Sequence, residues 1–374
     1  MSGTVSPRIA SKVDAKTWHD RAAITGHFIL TRIGIMGAGV IARFGHAPAI
    51  LETPGLVLAS VYDPSPESLA EFARSFPAVE VETFNNRDAF FASGIDAVSV
   101  CSSAPAHPSN VRDCAAHGLP VLCEKPLAMN DADIAAMIAV MEEAHLPLVA
   151  AFCYRFSPVA QTIKRLVDSG AIGAVRSIRL IYNWSLFGKY TNDGGQWHEN
   201  PYRVGRMLEG GPMVDCGVHF IDLARWWTGS EITDYKAHAS WVDEEYEAPS
   251  HIWLHADHQN GCHTAVETSF AFTHTAKDPV SLFTYDIIGT NGAIRYDRDG
   301  WRFELRNGDG TQIMPGSSEK NFTGMYHAWA RALRTGDFSE LPTGRDGMVA
   351  TRIARTATEE CIRLRRSRHI PGKP

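Results

Sequence analysis

Two clusters of residues in this chain have the types and spacing for chemistry on an alcohol. The first is Glu124-Lys125-Pro126, which closes the apolar run Leu119-Pro120-Val121-Leu122-Cys123. That run reads as a buried strand, and a lysine at its carboxyl end stands where ligands bind in open α/β sheets. An ammonium there donates a hydrogen bond to a substrate hydroxyl and stabilises negative charge developing on the oxygen. Pro126 removes a backbone donor and fixes the chain direction. The second cluster runs from Gly210-Gly211-Pro212 to Asp222. Pro212 suits a first helical position and Gly229 a stop. Asp215, His219 and Asp222 then fall at i, i+4 and i+7 on one helix face, among Val214, Val218, Phe220, Ile221, Leu223, Trp226 and Trp227. A polar stripe on so apolar a helix is costly unless it is paired or used. Imidazole titrates near neutral pH, so His219 can take or return a hydroxyl proton. Asp215 orients that ring or contacts the substrate itself. The alternatives are a solvated Asp–His pair on an exposed stripe or a hydrogen-bonded core histidine.

A third pattern supplies a partner for that chemistry. Gly37-Ala38-Gly39-Val40-Ile41-Ala42 is a G-x-G-x-x-A that follows an apolar strand and opens a helix, the context a dinucleotide fingerprint requires. Gly37 permits the tight turn, Gly39 lets the backbone approach a pyrophosphate, and Ala42 lets helix and strand pack closely. The amides at the helix start, from Val40 and Ile41 on, face the phosphates. Asp63 ends the second strand, where a carboxylate bonds the ribose hydroxyls and repels a 2′-phosphate, which favours NAD over NADP.

Positioning these residues takes two lobes. From Thr31 to about Cys153, strands (Arg32–Met36, Leu56–Asp63, Ala97–Cys101, Val121–Cys123, Leu148–Phe152) alternate with helices (Val40–Leu51, Pro66–Phe76, Pro108–His117, Ala132–Ala144), which predicts a doubly wound parallel sheet. After Pro158 one helix (Val159–Ser169) precedes long alternating segments at Val175–Trp184, Ile252–His258, His263–Phe272, Leu282–Ile288 and Trp301–Arg306. These predict a large open, mostly antiparallel sheet. Asn291-Gly292 and Asp299-Gly300 read as hairpin turns and Asn307–Ser318 as a mobile loop. Final helices span Met325–Thr335 and Arg345–Arg365. The expected organisation is an extension over residues 1–29 with a short helix near Ala15–Ala23, a nucleotide-binding domain over 30–153, and a substrate and oligomerisation domain over 154–374, whose last helices pack back on the first.

Together the three motifs resemble the Gfo/Idh/MocA family, the relatives of glucose–fructose oxidoreductase and inositol dehydrogenase, over roughly residues 30–366. The pairing of E-K-P with G-G-x-x-x-D-x-G-x-H-x-x-D carries the resemblance. It implies an α/β fold with an N-terminal Rossmann domain and a C-terminal domain built on a large open sheet. It also implies a lysine–aspartate–histidine constellation at the nicotinamide, matched here by Lys125, Asp215 and His219. Tyr154-Arg155-Phe156-Ser157-Pro158 looks like the family's domain junction and brings Tyr154 and Arg155 toward the substrate. The family's T-P-N-x-x-H stretch reads Ser102-Ser103-Ala104-Pro105-Ala106-His107 here. Ser102, His107 and Glu124 join the cofactor contacts, although the proline is displaced. A cis Lys125-Pro126 bond is a further expectation. The implied activity is NAD-dependent oxidation of a secondary hydroxyl of a sugar, cyclitol or sugar derivative. Some relatives instead run a redox-neutral glycosidase cycle of transient oxidation, elimination, water addition and re-reduction. A non-catalytic sensor on the same fold is the third possibility.

Other features bound these readings. The segment Trp184–Arg206 carries Lys189, Tyr190, Trp197, His198, Tyr202, Arg203 and Arg206 among glycines. Aromatic rings such as Trp197 stack on sugar faces, and Arg203 suits an anionic substituent. His251, His255, His258 and His263 invite a metal, but on a strand the first two lie about 13 Å apart, so no metal is expected. The chain has 374 residues, 36 basic against 42 acidic side chains, and net charge -6, which offers no footprint for nucleic acid or an anionic membrane. No apolar stretch reaches the roughly 18 residues of a spanning helix, and the first 25 residues lack an apolar signal core. The 7 cysteines have no C-x-x-C spacing, which predicts reduced thiols in a cytoplasmic protein. An open sheet with an uncovered face predicts a homodimer or homotetramer.

Overall fold

A computed structural model describes residues 30–193, 196–242, 245–316 and 320–367. The expectations for residues 1–29 lie outside the described residues. The first lobe is a parallel six-stranded sheet of β1 (Thr31–Met36), β2 (Leu56–Tyr62), β3 (Glu82–Phe84), β4 (Ala97–Val100), β5 (Val121–Cys123) and β6 (Leu148–Ala150), in the order β3-β2-β1-β4-β5-β6. Val, Ile and Leu fill its strands because both faces are covered. The order reverses between β1 and β4, which opens a crevice at the carboxyl ends of the strands. Helices α1 (Ala47–Glu52), α2 (Pro66–Ser75), α3 (Arg87–Phe91), α4 (His107–Ala116) and α5 (Asp131–Glu143) connect them.

The expected single helix over Val40–Leu51 begins with a π turn at Ala42–His46 before α1, with Ala47 N–H bonding Ala42 O five residues back. The expected strand Leu148–Phe152 stops at Ala150, because Cys153–Phe156 coils into a 3₁₀ turn.

The second lobe starts with α6 (Pro158–Asp168). Its sheet runs β10 (Ile232–Ser240), β11 (His251–His258), β12 (His263–Ser269), β7 (Val175–Asn183), β13 (Leu282–Gly289), β14 (Gly292–Asp297), β15 (Arg302–Asn307) and β16 (Gly310–Ile313). Only the β12–β7 pair in it is parallel. A separate hairpin joins β8 (Tyr190–Asp193) to β9 (Gln196–Glu199), followed by α7 (Pro201–Leu208). The loop expected at Asn307–Ser318 is corrected for its first half: Gly310, at φ 116°, turns the chain back so that residues 310–313 pair with β15. One sheet face packs on α8 (Val218–Thr228) at β7 and β12, and α6 lies against α8. Along β11 the buried residues are Ile252, Leu254, Ala256 and His258, while His251, Trp253, His255 and Asp257 alternate outward. His258 turns inward to Thr264 Oγ1 at 2.8 Å. Outside, His263 Nδ1 lies 2.7 Å from Asp257 Oδ1 and its Nε2 3.2 Å from His255 Nδ1.

Two C-terminal helices, α9 (Phe322–Thr335) and α10 (Gly344–Ser367), return along the molecule. Tyr326 and Trp329 of α9 are fully buried in one core with Ile33, Ile35, Ala47 and Ile50 of the first lobe. No helix among the described residues is long and apolar enough to cross a membrane.

Candidate active site

The site is assembled from three chain turns at the mouth of the crevice. The turn after β1 is tight: Gly37 has φ 104°, its N–H donates to Tyr62 O at 2.8 Å, and a Cβ there would meet Ser102 N at 2.5 Å. Only glycine fits at such an angle and so close an approach. Gly39 is different. A Cβ there would meet nothing within 4 Å, so the fold itself does not demand that glycine, whereas a pyrophosphate lying on the turn would. Val40 is half exposed beside it and Ile41 partly covered. Asp63 accepts from Ala38 N–H on Oδ2 (2.8 Å) and from Ser65 N–H on Oδ1 (2.9 Å). Each oxygen keeps one lone pair for a diol.

The turn after β5 carries Glu124 and Lys125 and contains the cis Lys125-Pro126 bond. Lys125 is 9% exposed. Its ammonium crosses to the second lobe, where it donates to Asp215 Oδ1 at 2.9 Å and to the Asp215 carbonyl at 2.8 Å. Burial would depress the Lys125 pKa, but the charges of Asp215 and Glu124 outweigh it and hold the ammonium above its usual range. Burial likewise opposes ionisation of Asp215, and Lys125, Arg206 and Lys320 overcome it, so that carboxyl stays well below the usual range.

The helix bearing Asp215 and His219 opens with a π turn at Met213–Gly217, where Val218 N–H bonds Met213 O. Such insertions recur at functional sites because they re-aim side chains. Asp215, His219 and Asp222, expected on one helix face, have different surroundings. Asp222 is buried and receives both Arg155 Nε (2.7 Å) and Nη2 (2.6 Å). Asp215 turns to Lys125. His219, 2% exposed, has no hydrogen-bond partner on either ring nitrogen among the described residues. The rings of Tyr154 and Phe152 stand edge-on to it, at centroid distances of 5.0 and 5.8 Å. Burial first, then the positive charges of Lys125 and Lys320, push its pKa well below the ordinary value. A neutral, unpartnered imidazole beside an ammonium–carboxylate pair can accept a proton without first losing one.

Several residues expected here do other work. Arg155 is committed to Asp222. Arg203 is 2% exposed and donates to the carbonyls of Ser185 and Phe270, which fixes a loop and leaves the guanidinium buried. Trp197 stands 72% exposed on the β8–β9 hairpin, outside the buried cluster. His107 sits between the carbonyls of Ser102 (2.9 Å) and Leu127 (3.1 Å) and so braces the two loops of the crevice. Ser102 Oγ accepts from Asn110 at 2.9 Å. Arg206 comes closer than Arg203: its Nε lies 3.9 Å from Asp215 Oδ1, with Nη1 on Glu209 at 2.6 Å. Lys320, which sequence reading passes over, adds positive charge from the segment before α9. No local motif marks it.

Comparison with known proteins places this geometry. Residues 31–152 match a family model described as an oxidoreductase family with an NAD-binding Rossmann fold, and residues 160–295 match the GFO/IDH/MocA C-terminal domain. The chain is 28% identical to D-apiose dehydrogenase of Rhizobium rhizogenes over 76% of its own length and 78% of that protein. It is 30% identical to myo-inositol 2-dehydrogenase of Thermotoga maritima over 57% and 60% of the two chains. Among solved structures, an oxidoreductase from Agrobacterium radiobacter in complex with NAD+, L-tartaric acid and magnesium superposes with a TM-score of 0.73 at 25% identity, covering 89% of this chain and 96% of that one.

Proposed function

The chain belongs to the GFO/IDH/MocA oxidoreductase family, and on that premise we propose that it moves a hydride between NAD and a secondary hydroxyl of a sugar, cyclitol or sugar derivative. The observation that carries this reading is the buried His219 ring near the Lys125–Asp215 pair, whose two nitrogens have no partner among the described residues. A buried imidazole left unsatisfied costs roughly 1–3 kcal/mol, and a substrate hydroxyl supplies the missing partner.

Gly37, Gly39, Val40, Ile41 and Asp63 would hold the dinucleotide, with Ser102, His107 and Glu124 shaping the far wall of the crevice. When bound, NAD supplies the hydride acceptor. The remaining chemistry belongs to the side chains. His219 takes the hydroxyl proton. Lys125 turns a hydrogen bond onto the oxygen as it becomes an alkoxide and then a carbonyl. Asp215 keeps the ammonium charged and aimed, and offers its second oxygen to the substrate. Tyr154 and Phe152 keep water from the imidazole.

Gly39→Ala separates the nucleotide role from the fold. Because a Cβ there meets nothing, the variant keeps its unfolding midpoint and weakens NAD binding ~10-fold or more, about 1.4 kcal/mol. Calorimetric titration and a thermal scan check both halves. The reading as a whole is tested by incubating the protein with NAD and a panel of free sugars, cyclitols and glycosides. NADH absorbance rising with a free sugar or cyclitol supports it. Aglycone release without net NADH would replace it with the redox-neutral glycosidase cycle. Silence across the panel with NAD bound would favour a sensor.

A further inference from the structure

A buried polar chain reaches Lys125 from behind. His46, at the end of the first π turn, is fully buried, and its Nε2 lies 2.8 Å from Glu124 Oε1. Its Nδ1 lies 2.7 Å from the Tyr326 hydroxyl of α9, which in turn lies 2.6 Å from Ser99 Oγ of β4. The other Glu124 oxygen, Oε2, accepts the Lys125 backbone N–H at 3.0 Å. Four segments distant in sequence thus join in one chain that ends at this carboxylate.

We propose that His46 is a positioning residue for the reaction: it holds Glu124, and through Glu124 the main chain of Lys125, in line with Asp215 and His219. This rests on the assignment of Lys125 as the donor to the reacting oxygen.

The chemistry leaves little freedom at this point. Glu124 is 6% exposed. Burial favours its neutral form, but the His46 hydrogen bond and charge, then Lys125, bring its pKa down to about 2. An ionised carboxylate only accepts, so the proton in the His46–Glu124 contact sits on Nε2. Nδ1 then either accepts from Tyr326, with Ser99 donating to the phenol, or donates to it. In the first arrangement every donor of the chain finds an acceptor. Besides this contact, the turn is held by the Glu124 N–H donating to Val100 O at 2.9 Å and by the Lys125 ammonium on Asp215. Pro126 has no N–H, and the Lys125 amide is held by its own neighbour's side chain. A Glu124 carboxylate released from His46 would have to find another donor in a buried place, and Lys125 would move with it. Since His46 lies on the segment that opens at the glycine turn, the same contact ties the nucleotide-binding element to the catalytic ammonium.

The test is a mutant cycle on the full chain. His46→Leu removes the donor, and His46→Gln keeps an N–H at the same reach. If positioning is the role, His46→Leu lowers kcat on the order of 10- to 100-fold, with NAD affinity and substrate KM within about two-fold of the parent. His46→Gln restores most of the loss. His46→Leu combined with Glu124→Gln loses no more than the worse single change. A kcat for His46→Leu near that of the parent, or losses that multiply in the double variant, would overturn the proposal. Should His46→Leu fail to fold, His46→Met, which also lacks the donor, takes its place in the cycle under the same criteria. A readout without turnover uses protein labelled with ¹⁵N-histidine. The ring N–H resonance that disappears in His46→Gln must shift in Glu124→Gln, and an unmoved resonance counts against the contact. Lys125→Met is the control: full activity in that variant removes the catalytic assignment, whereas an inactive Lys125→Met beside a fully active His46→Leu removes only the present inference.

Discussion

Lys125→Met is expected to lower turnover by ~10²–10³-fold while NAD still binds. Methionine fills nearly the same volume but cannot donate a hydrogen bond, so on the proposed mechanism the oxygen that gives up its proton, while its carbon gives up the hydride, loses the group aimed at its developing charge. Removing one such preorganised donor costs about that factor in other enzymes. The effect belongs in kcat, because the hydrogen bond strengthens as charge develops and is weaker to the neutral ground-state hydroxyl. A second consequence follows from the pairing. Lys125 Nζ is bonded to Asp215 Oδ1 at 2.9 Å, and the Asp215 side chain is 14% exposed. Without the ammonium that carboxylate sits in a poorly solvated place, relieved only in part by Arg206 at 3.9 Å. The expected loss of stability is about 1–3 kcal/mol. Asp215→Asn placed on top of Lys125→Met should recover part of it without recovering activity. Denaturant unfolding and steady-state rates on the same samples check both. A Lys125→Met enzyme with near-parental turnover ends the assignment.

The residues brought together at the site were legible because each belongs to a short motif with a physical reason for its spacing. Gly37 and Gly39 are read from a strand-to-helix turn of dinucleotide-binding form, Lys125 from the end of a buried strand, and His219 and Asp215 from a helix too apolar to waste polar groups. What local spacing cannot carry is the choice among partners far apart in sequence. Asp222 looks like a third member of the His219 stripe, and only the fold reveals that Arg155, 67 residues earlier, claims it. Arg203 has the composition of an anion site and instead satisfies backbone carbonyls. His46 meets Glu124 across 78 residues and Tyr326 across 280, so no window along the chain contains the network. Gly45, which weakens the helix reading by propensity, is where the Phe322 ring would lie 2.8 Å from a Cβ. Tertiary contact there overrides local preference. Strands were missed where burial alternates weakly. β10 has one buried residue, Ala237, among partly or fully exposed neighbours, and β16 has none, so neither shows the apolar face that announces a strand.

His219→Leu should separate stability from activity in the opposite sense to Lys125→Met. Catalysis loses its base, a group whose contribution is typically 10²–10⁴-fold, and the loss should persist at every pH where the parent is active. The fold, however, loses nothing it was using. Both ring nitrogens are buried without a partner among the described residues, and leucine fills similar space among Phe152 and Tyr154 with no polar atom to leave unsatisfied. At neutral pH the variant is therefore expected to be as stable as the parent or more so, by up to about 1–2 kcal/mol. The pH dependence fixes the cause. In the parent, burial and then the charges of Lys125 and Lys320 lower the folded-state pKa of His219 well below 6.5, its ordinary value when unfolded. As pH falls below about 6.5 the unfolded chain binds a proton that the folded chain refuses, so the parent loses stability through that window. The leucine variant has no such site. Its advantage over the parent must then widen between pH 7.5 and 5.5, read as the difference between the two unfolding midpoints at each pH. The same depressed pKa places the acid limb of the parent's kcat/KM below about 6.5. An advantage that stays constant or shrinks on acidification would show that His219 is paired in the resting protein and is not the poised base on which the mechanism depends.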